Sequence, residues 1–284
     1  MSHRSIGIGS WSFDVWQDGP GDGPVVLLLH GFPQDHDCWK AWIGPLTSAG
    51  YRVIRPDQRG YSPGARPPEA AQYQLGHVVA DGMGFLDAAG VHAAHVIGHD
   101  WGAAVAWGMA SEHPDRVASL TVLSTPHPRA LVEACTRSRQ LLMSWYMGAL
   151  QWPALAWRVA APGHWAWPRL MRGLPAEDRH RYAERASTPE AFTAMVNWYR
   201  AISFDALRPS LRWRPITPPT LHAWGMRDPA LGRVASQRTL AHVQGPYRFL
   251  ALARHGHWLP ERAAGDLLPE VLAHLQASSR LGEP

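Results

Sequence analysis

An acidic residue, Asp100, stands between two glycines where the sequence predicts that a strand passes into a helix. The segment reads Gly98-His99-Asp100-Trp101-Gly102, with an apolar run before it and small apolar residues after it. This spacing fits the G-x-nucleophile-x-G pattern, in which a sharp turn presents the central side chain above the strand end. A helix N-cap is the alternative role for Asp100. The strand before it and the helix after it favour a nucleophile.

A carboxylate at this position changes the chemistry that the turn can perform. A serine there would attack a substrate carbonyl, whereas a carboxylate is a weak nucleophile towards carbonyls. It can instead displace a leaving group from saturated carbon, which gives an alkyl-enzyme ester. Water must then cleave that ester at the carbonyl of the enzyme itself. Esterases, lipases and peptidases with a serine nucleophile are therefore disfavoured.

Cleavage of such an ester needs a base, and the segment RHGHWLPE supplies two candidates. The expected chain order is nucleophile, acid, histidine. We predict His257 as the base, with His255 as its competitor, and Asp228 as the acid that orients the imidazole. The earlier segment Ser124–Pro128 contains no carboxylate, which favours Asp228. The His-x-His pair could also indicate a metal, but no further ligands follow at suitable spacing, and neither metal nor cofactor is expected.

Two backbone N–H groups are needed to hold the oxyanion that forms when water attacks the ester. The first is that of Trp101, directly after the nucleophile. The second is that of Phe32 in the segment HGFP, which follows the apolar run Val25–Leu29. An ordinary turn is the alternative role for HGFP, but its place after an early strand fits the required loop.

Alternating strands and helices must position these residues. Apolar runs such as Val25–Leu29, bounded by glycine and proline, predict strands buried on both faces. The alternation stops near residue 128 and resumes near residue 213, and only helical patterns lie between. We predict an α/β core of residues 1–127 and 213–284, with a mostly parallel sheet covered by helices on both faces, and a helical insertion of residues 128–212.

The composition narrows the classes of function. The chain has 284 residues and a net charge of +4, and its arginines are scattered rather than clustered, so nucleic-acid binding is not expected. No apolar run approaches the roughly 18 residues of a membrane span, and the N-terminus lacks an apolar signal core. The two cysteines, Cys38 and Cys135, do not form a disulfide framework. A cytoplasmic protein is the expectation.

The set HGFP, GHDWG, Asp228 and GHW resembles the α/β-hydrolase superfamily and, within it, the soluble epoxide hydrolases. The resemblance spans nearly the whole chain and implies an eight-stranded, mostly parallel sheet with a helical cap, or lid. The segment NWYR is similar to the one that carries one of that family's two cap tyrosines, here Tyr199. The segment SWYMGALQWP is a looser match to the other, here Tyr146. The implied reaction is attack of Asp100 on an epoxide carbon while both phenols hydrogen-bond and protonate the oxygen.

The residues around Tyr199 support a buried position. Thr188 and Pro189 suit the N-cap and first position of a helix, and five residues then share one face: Phe192, Met195, Val196, Tyr199 and Ile202. A plain core tyrosine is the alternative. The tryptophans and methionines of the insertion indicate an apolar pocket for a small apolar epoxide. The predicted pocket residues are Pro33, Met195, Trp198 and Trp258.

Two other functions remain open at this stage. A haloalkane or haloacid dehalogenase would use the same nucleophile and could use Trp101 as a halide donor. Haloalkane dehalogenases resemble one another in having Asn where Phe32 stands, and the arginine pair of fluoroacetate dehalogenases is absent from Ala103–Met109. A non-catalytic ligand-binding protein on the same scaffold is the second alternative, which the intact nucleophile, acid and base disfavour. A homodimer is one expected assembly.

Overall fold

The computed structural model describes residues 2–281, and the strands within that range form a single sheet. They are β1 (Ser2–Ile8), β2 (Trp11–Asp18), β3 (Val25–Leu29), β4 (Arg52–Pro56), β5 (Ala94–His99), β6 (Val117–Leu123), β7 (Thr220–Gly225) and β8 (Tyr247–Leu252). The helices of the first half are α1 (Lys40–Ser48), α2 (Leu75–Ala88) and α3 (Trp101–Glu112). Those that follow β6 are α4 (Pro128–Cys135), α5 (Gln140–Met143), α6 (Trp145–Ala149), α7 (Pro153–Ala160), α8 (Trp167–Leu170), α9 (Ala176–Arg185) and α10 (Pro189–Leu207). The last helices are α11 (Arg233–Arg238), α12 (Leu259–Arg262) and α13 (Ala264–Leu281).

The sheet order is β1-β2-β4-β3-β5-β6-β7-β8. The pairs β1–β2 and β2–β4 are antiparallel, and every pair from β4 to β8 is parallel. All five residues of β3 are buried, as their uninterrupted apolar run predicts for a central strand. This confirms the expected fold, an eight-stranded and mostly parallel α/β-hydrolase sheet. The carboxyl ends of β3, β5, β7 and β8 lead into the segments that carry the predicted site residues.

The helices α4 to α10 lie between β6 and β7 without any strand among them in the described chain, and we call residues 128–207 the helical segment. The division at residues 128 and 212 into core and cap stays a prediction. In α10 the Thr188 hydroxyl accepts a hydrogen bond from the Ala191 N–H at 3.2 Å, as an N-cap does. Most of the predicted face of α10 is buried, but Ile202 is 38% exposed.

Buried ion pairs fasten α9 to the loops that follow β3 and β4. Arg181 Nε lies 3.2 Å from an Asp35 carboxylate oxygen, and Arg185 pairs with Asp57. Both carboxylates are 1% exposed. Removing one partner would leave a buried charge uncompensated, so these pairs fix the position of the helical segment on the sheet.

The last helix, α13, runs to Leu281, and its Ser278 and Ser279 hydroxyls bond to main-chain carbonyls of the preceding turn. Helix α11 ends at Arg238 and is followed by a 3₁₀ turn, Thr239–His242. Within residues 2–281, no helix combines the length and apolar character that crossing a bilayer requires.

Candidate active site

The turn between β5 and α3 holds Asp100 in a strained backbone conformation. Its φ is 51°, in the left-handed region that residues other than glycine rarely occupy. A Cβ atom at Gly98 would collide with the Gly102 carbonyl, and one at Gly102 would collide with the Leu29 carbonyl. The flanking glycines therefore permit the close approach of α3 to the ends of β3 and β5. Asp100 makes no N-cap hydrogen bond in α3, which removes its alternative role.

The Asp100 carboxylate turns instead towards the loop after β3. The Phe32 N–H donates to Asp100 Oδ1 at 2.8 Å. Burial raises the pKa of Asp100, and the nearby His257 together with the N–H groups of Phe32 and Trp101 opposes that shift. The two predicted oxyanion donors thus meet at the carboxylate, and a negative charge on it is partly compensated.

The predicted acid and base face each other behind Asp100. His257 Nδ1 lies 2.8 Å from Asp228 Oδ2, while the other Asp228 oxygen accepts hydrogen bonds from the Ala230 and Leu231 N–H groups. His257 Nε2 lies 3.6 Å from Asp100 Oδ2. This distance exceeds a hydrogen bond and suits a ring that works on a water molecule beside the carboxylate.

The charge state of His257 depends on both carboxylates. Burial lowers the pKa of His257, but the neighbouring Asp228 and Asp100 outweigh it and raise the pKa to about 9. The free site therefore holds an imidazolium at neutral pH. Esterification of Asp100 would remove one of the two charges, so the pKa would fall when a base is required. The competitor His255 bonds to Asp266 at 2.6 Å, on the far side of the loop.

A cavity of about 550 Å³ opens above Asp100 and is enclosed largely by the helical segment. Its wall includes Asp100, Trp101, Tyr146 and Tyr199 and is otherwise mostly apolar. The two tyrosine rings lie 5.9 Å apart in an edge-to-face arrangement. Burial and the Asp100 charge raise the pKa of both phenols, so both remain protonated. The Trp101 side chain hydrogen-bonds Tyr199, and because an indole only donates, the Tyr199 O–H stays available to a ligand.

The four predicted pocket residues occupy different places. Trp198 lines the cavity, and its indole N–H donates to the Arg59 carbonyl at 2.8 Å. Met195 is fully buried in the core. Trp258 packs edge-on against His257, with ring centroids 5.0 Å apart, and Pro33 lies in the loop beside Phe32. Of the four, only Trp198 is among the residues that line the cavity.

A chain of buried polar groups behind the nucleophile was not predicted from the sequence. Gln34 Oε1 accepts from the Gly31 N–H at 2.9 Å, and Gln34 Nε2 donates to Glu261 at 2.7 Å. The Tyr182 hydroxyl of α9 donates to the same Glu261 oxygen. Burial raises the pKa of Glu261 to about 7. The sequence indicates these residues only by their proximity to the predicted site segments, because Gln34 directly follows HGFP and Glu261 closely follows GHW.

The same chain continues to the backbone of the base. His99 Nδ1 lies 2.7 Å from Gln34 Oε1, and His99 Nε2 lies 2.9 Å from the His257 carbonyl oxygen. Burial lowers the pKa of His99 well below its usual range, so the neutral ring donates to only one of these oxygens. The Ser124 hydroxyl also donates to the His257 carbonyl, at 2.7 Å. The main chain of the base is therefore held from two sides.

No group of three or more histidine, cysteine, aspartate or glutamate side chains within the described part of the chain could hold a metal ion. The reactive groups that this geometry brings together are a carboxylate with one oxygen towards a cavity, a histidine beside it and two phenols opposite.

The sequence and the fold of this chain are similar to those of known proteins over most of its length. Residues 24–158 match the model of the alpha/beta hydrolase fold family. The chain is 36% identical to the AB hydrolase superfamily protein YfhM of Bacillus subtilis, over 91% of this chain and 92% of that protein. It is 33% identical to epoxide hydrolase A of Mycobacterium tuberculosis, over 92% and 93% of the two chains. A solved epoxide hydrolase from metagenomes of hot environments superposes with a TM-score of 0.84 at 26% identity, covering 96% of this chain and 98% of that one.

Proposed function

We propose, from the premise that this chain belongs to the epoxide hydrolase family of the α/β-hydrolase superfamily and is a hydrolase, that it converts an apolar epoxide to a vicinal diol. The observation that carries the proposal is the pairing of a buried carboxylate with two protonated phenols across an apolar cavity. A carboxylate attacks saturated carbon, and a phenol protonates the oxygen that leaves. An epoxide presents both atoms in one small ring.

In the first step, Asp100 Oδ2 forms a bond to an epoxide carbon and the ring C–O bond breaks. The electron pair goes to the epoxide oxygen, which Tyr146 and Tyr199 hydrogen-bond and which takes a proton from one of them. The Phe32 N–H donates to Oδ1, so we assign the attack to Oδ2, the oxygen that faces His257. The product of this step is an alkyl ester of Asp100 with a tyrosinate beside it.

In the second step, His257, oriented by Asp228, takes a proton from water, and the water oxygen attacks the Asp100 carbonyl carbon. The negative charge collects on Oδ1, where the Phe32 and Trp101 N–H groups stabilise it. Collapse of this intermediate breaks the bond between that carbon and Oδ2 and releases the diol. The proton that the His257 imidazolium gives up when Asp100 is esterified restores the tyrosine. One proton of the water ends on the departing hydroxyl and the other returns to His257, so the cycle needs neither metal nor cofactor.

In this proposal the core, residues 1–127 and 213–284, supplies the nucleophile, acid and base. The cap, residues 128–212, supplies both tyrosines and most of the cavity wall. Apolar side chains dominate that wall, which suits an epoxide with an apolar substituent. The proposed enzyme acts in the cytoplasm.

Isotope labelling tests the ester directly. After many turnovers in heavy-oxygen water, the Asp100 peptide should carry one heavy oxygen, because the water oxygen replaces Oδ2 in each cycle. The Asp228 peptide of the same digest is the control and should stay unlabelled. Diol formation without label in Asp100 would exclude the ester. Release of halide from haloalkanes, without diol from any of a panel of terminal, internal and aromatic epoxides, would replace the proposal with a dehalogenase.

A further inference from the structure

The mouth of the cavity is rimmed by exposed apolar side chains of the helical segment. Val132 and Leu141 line the cavity and yet are 71% and 65% exposed. Leu142 and Trp145 continue this surface outward, at 72% and 57% exposure. In the run α5–α6, Trp145 follows Leu142 and Leu141 by three and four positions, which brings the three side chains together on one side. We call these four residues the mouth patch.

Positive charge is concentrated in the stretch of the helical segment that contains this patch. Residues 128–175 contain six of the 27 basic residues and one of the 23 acidic residues, so they carry +5 while the rest of the chain carries −1. That single carboxylate, Glu133, is paired with Arg238. The exposed Arg129 lies one helical turn before Val132, and Arg137 and Arg139 lie in the turn that leads into α5. Cations therefore flank the mouth patch.

Exposed leucine and tryptophan bordered by arginine match the chemistry of a lipid surface. Tryptophan partitions to the interfacial layer of a bilayer, leucine to its apolar edge, and arginine to anionic headgroups. A second copy of this chain fits less well, because it would bring two +5 segments together. We propose that the mouth patch docks the protein on an anionic lipid bilayer, without insertion of a spanning helix, and so opens the cavity towards ligands dissolved in the membrane.

Vesicle binding tests this docking without any epoxide and is therefore independent of the proposed reaction. We expect the protein to co-sediment with vesicles of phosphatidylglycerol and phosphatidylcholine and to bind at least 10-fold more weakly to phosphatidylcholine alone, with affinity falling as salt rises. Arg137→Ser with Arg139→Ser should weaken binding by about 30-fold, since each arginine near an anionic surface contributes about 5-fold. Leu142→Ser with Trp145→Ser should weaken it by at least about 10-fold. None of these four side chains lines the cavity.

Matched control variants distinguish docking from general changes of charge or hydropathy. Met226→Ser removes an exposed apolar side chain outside the helical segment, and Arg4→Ser with Arg179→Ser removes two exposed charges away from the mouth patch. Both should bind vesicles like the parent, and thermal unfolding checks that every variant is folded. Failure of the parent to bind, or equal weakening by the controls, would overturn the proposal. A dimer in size-exclusion chromatography that Leu142→Ser with Trp145→Ser dissociates would also overturn it, because a second copy would then cover the patch.

Discussion

The two halves of the candidate site differ in how they hold their polar groups. On the core side, Asp228 accepts two main-chain N–H bonds and orients His257, and Asp100 accepts the Phe32 N–H. On the helical side, Tyr146 and Tyr199 are held mainly by ring packing against aromatic neighbours and face an apolar cavity. The core side thus fixes its charged groups with directional hydrogen bonds, whereas the helical segment shapes an apolar space. We expect His257 and Asp228 to govern breakdown of the ester, and the two tyrosines of the helical segment to assist its formation by Asp100.

Among the variants, His257→Gln should give the largest difference between its effects on ester formation and on ester breakdown. The variant keeps Asp100 and both tyrosines, so it should form the ester in a single turnover and then release diol about 10³–10⁴-fold more slowly than the parent. Rapid quench followed by mass analysis of the intact protein measures both phases. An equal loss in ester formation and ester breakdown would show that His257 does not act on the second step alone.

Tyr199→Phe and Tyr146→Phe should show the opposite pattern with a smaller effect. Each removes one hydrogen-bond donor to the epoxide oxygen, so ester formation should slow by about 10–10²-fold while ester hydrolysis stays near that of the parent. Tyr247→Phe, on β8 and away from the cavity wall, is the matched control and should leave both rates unchanged. Slower hydrolysis of preformed ester in the Tyr199 variant would assign the helical segment a part in the second step.

Glu261 joins the two halves and should make their attachment depend on pH. The folded pKa is about 7 and the ordinary value is 4.5, so the folded chain retains a proton that the unfolded chain loses between these values. The free energy of unfolding should therefore fall as pH rises through this window, by on the order of 2 kcal/mol from this group. Urea denaturation between pH 4 and 8 should show Glu261→Gln gaining stability relative to the parent as pH rises. The exposed Glu190→Gln is the control, and a parallel pH dependence for Glu261→Gln and the parent would contradict the linkage.

The smallest effect concerns the anchor of α10. Trp198→Phe removes the hydrogen bond to the Arg59 carbonyl and should lower the free energy of unfolding by about 1 kcal/mol. Trp42→Phe removes an equivalent buried bond to the Pro260 carbonyl, within the core. Both variants should lose similar stability, but only Trp198→Phe should raise KM and speed amide exchange in α10. Equal effects of both variants on KM would mean that the bond of α10 influences substrate binding no more than a buried bond within the core.

The sequence predicted those features that local pattern determines. The uninterrupted apolar run of β3, the glycines around Asp100 and the N-cap Thr188 each act within a few residues, and the structure contains the strand, the turn and the helix. The chain order of Asp100, Asp228 and His257 was readable because each follows a strand of one parallel sheet.

Features that depend on contacts between distant segments were not predicted. The bond from Gln34 to Glu261 joins residues 227 positions apart, and no local pattern distinguishes these polar side chains from surface ones. Likewise, Met195 lies on the predicted face of α10 but is fully buried and does not line the cavity. The arginines looked scattered when counted over the whole chain, and their concentration beside the cavity mouth became meaningful only with the exposure of Leu142 and Trp145.

The position of β8 at the edge of the sheet sets the order in which the enzyme matures during synthesis. Among the described residues this strand pairs with β7 alone, and the loop after it carries His257. The ribosome therefore releases Asp100 and both tyrosines well before the histidine, and the last strand must add to an existing sheet before the site is complete. Under the proposed reaction, a nascent chain that stalls before β8 would lack the histidine assigned to ester hydrolysis, and an epoxide that reacted with Asp100 would stay attached.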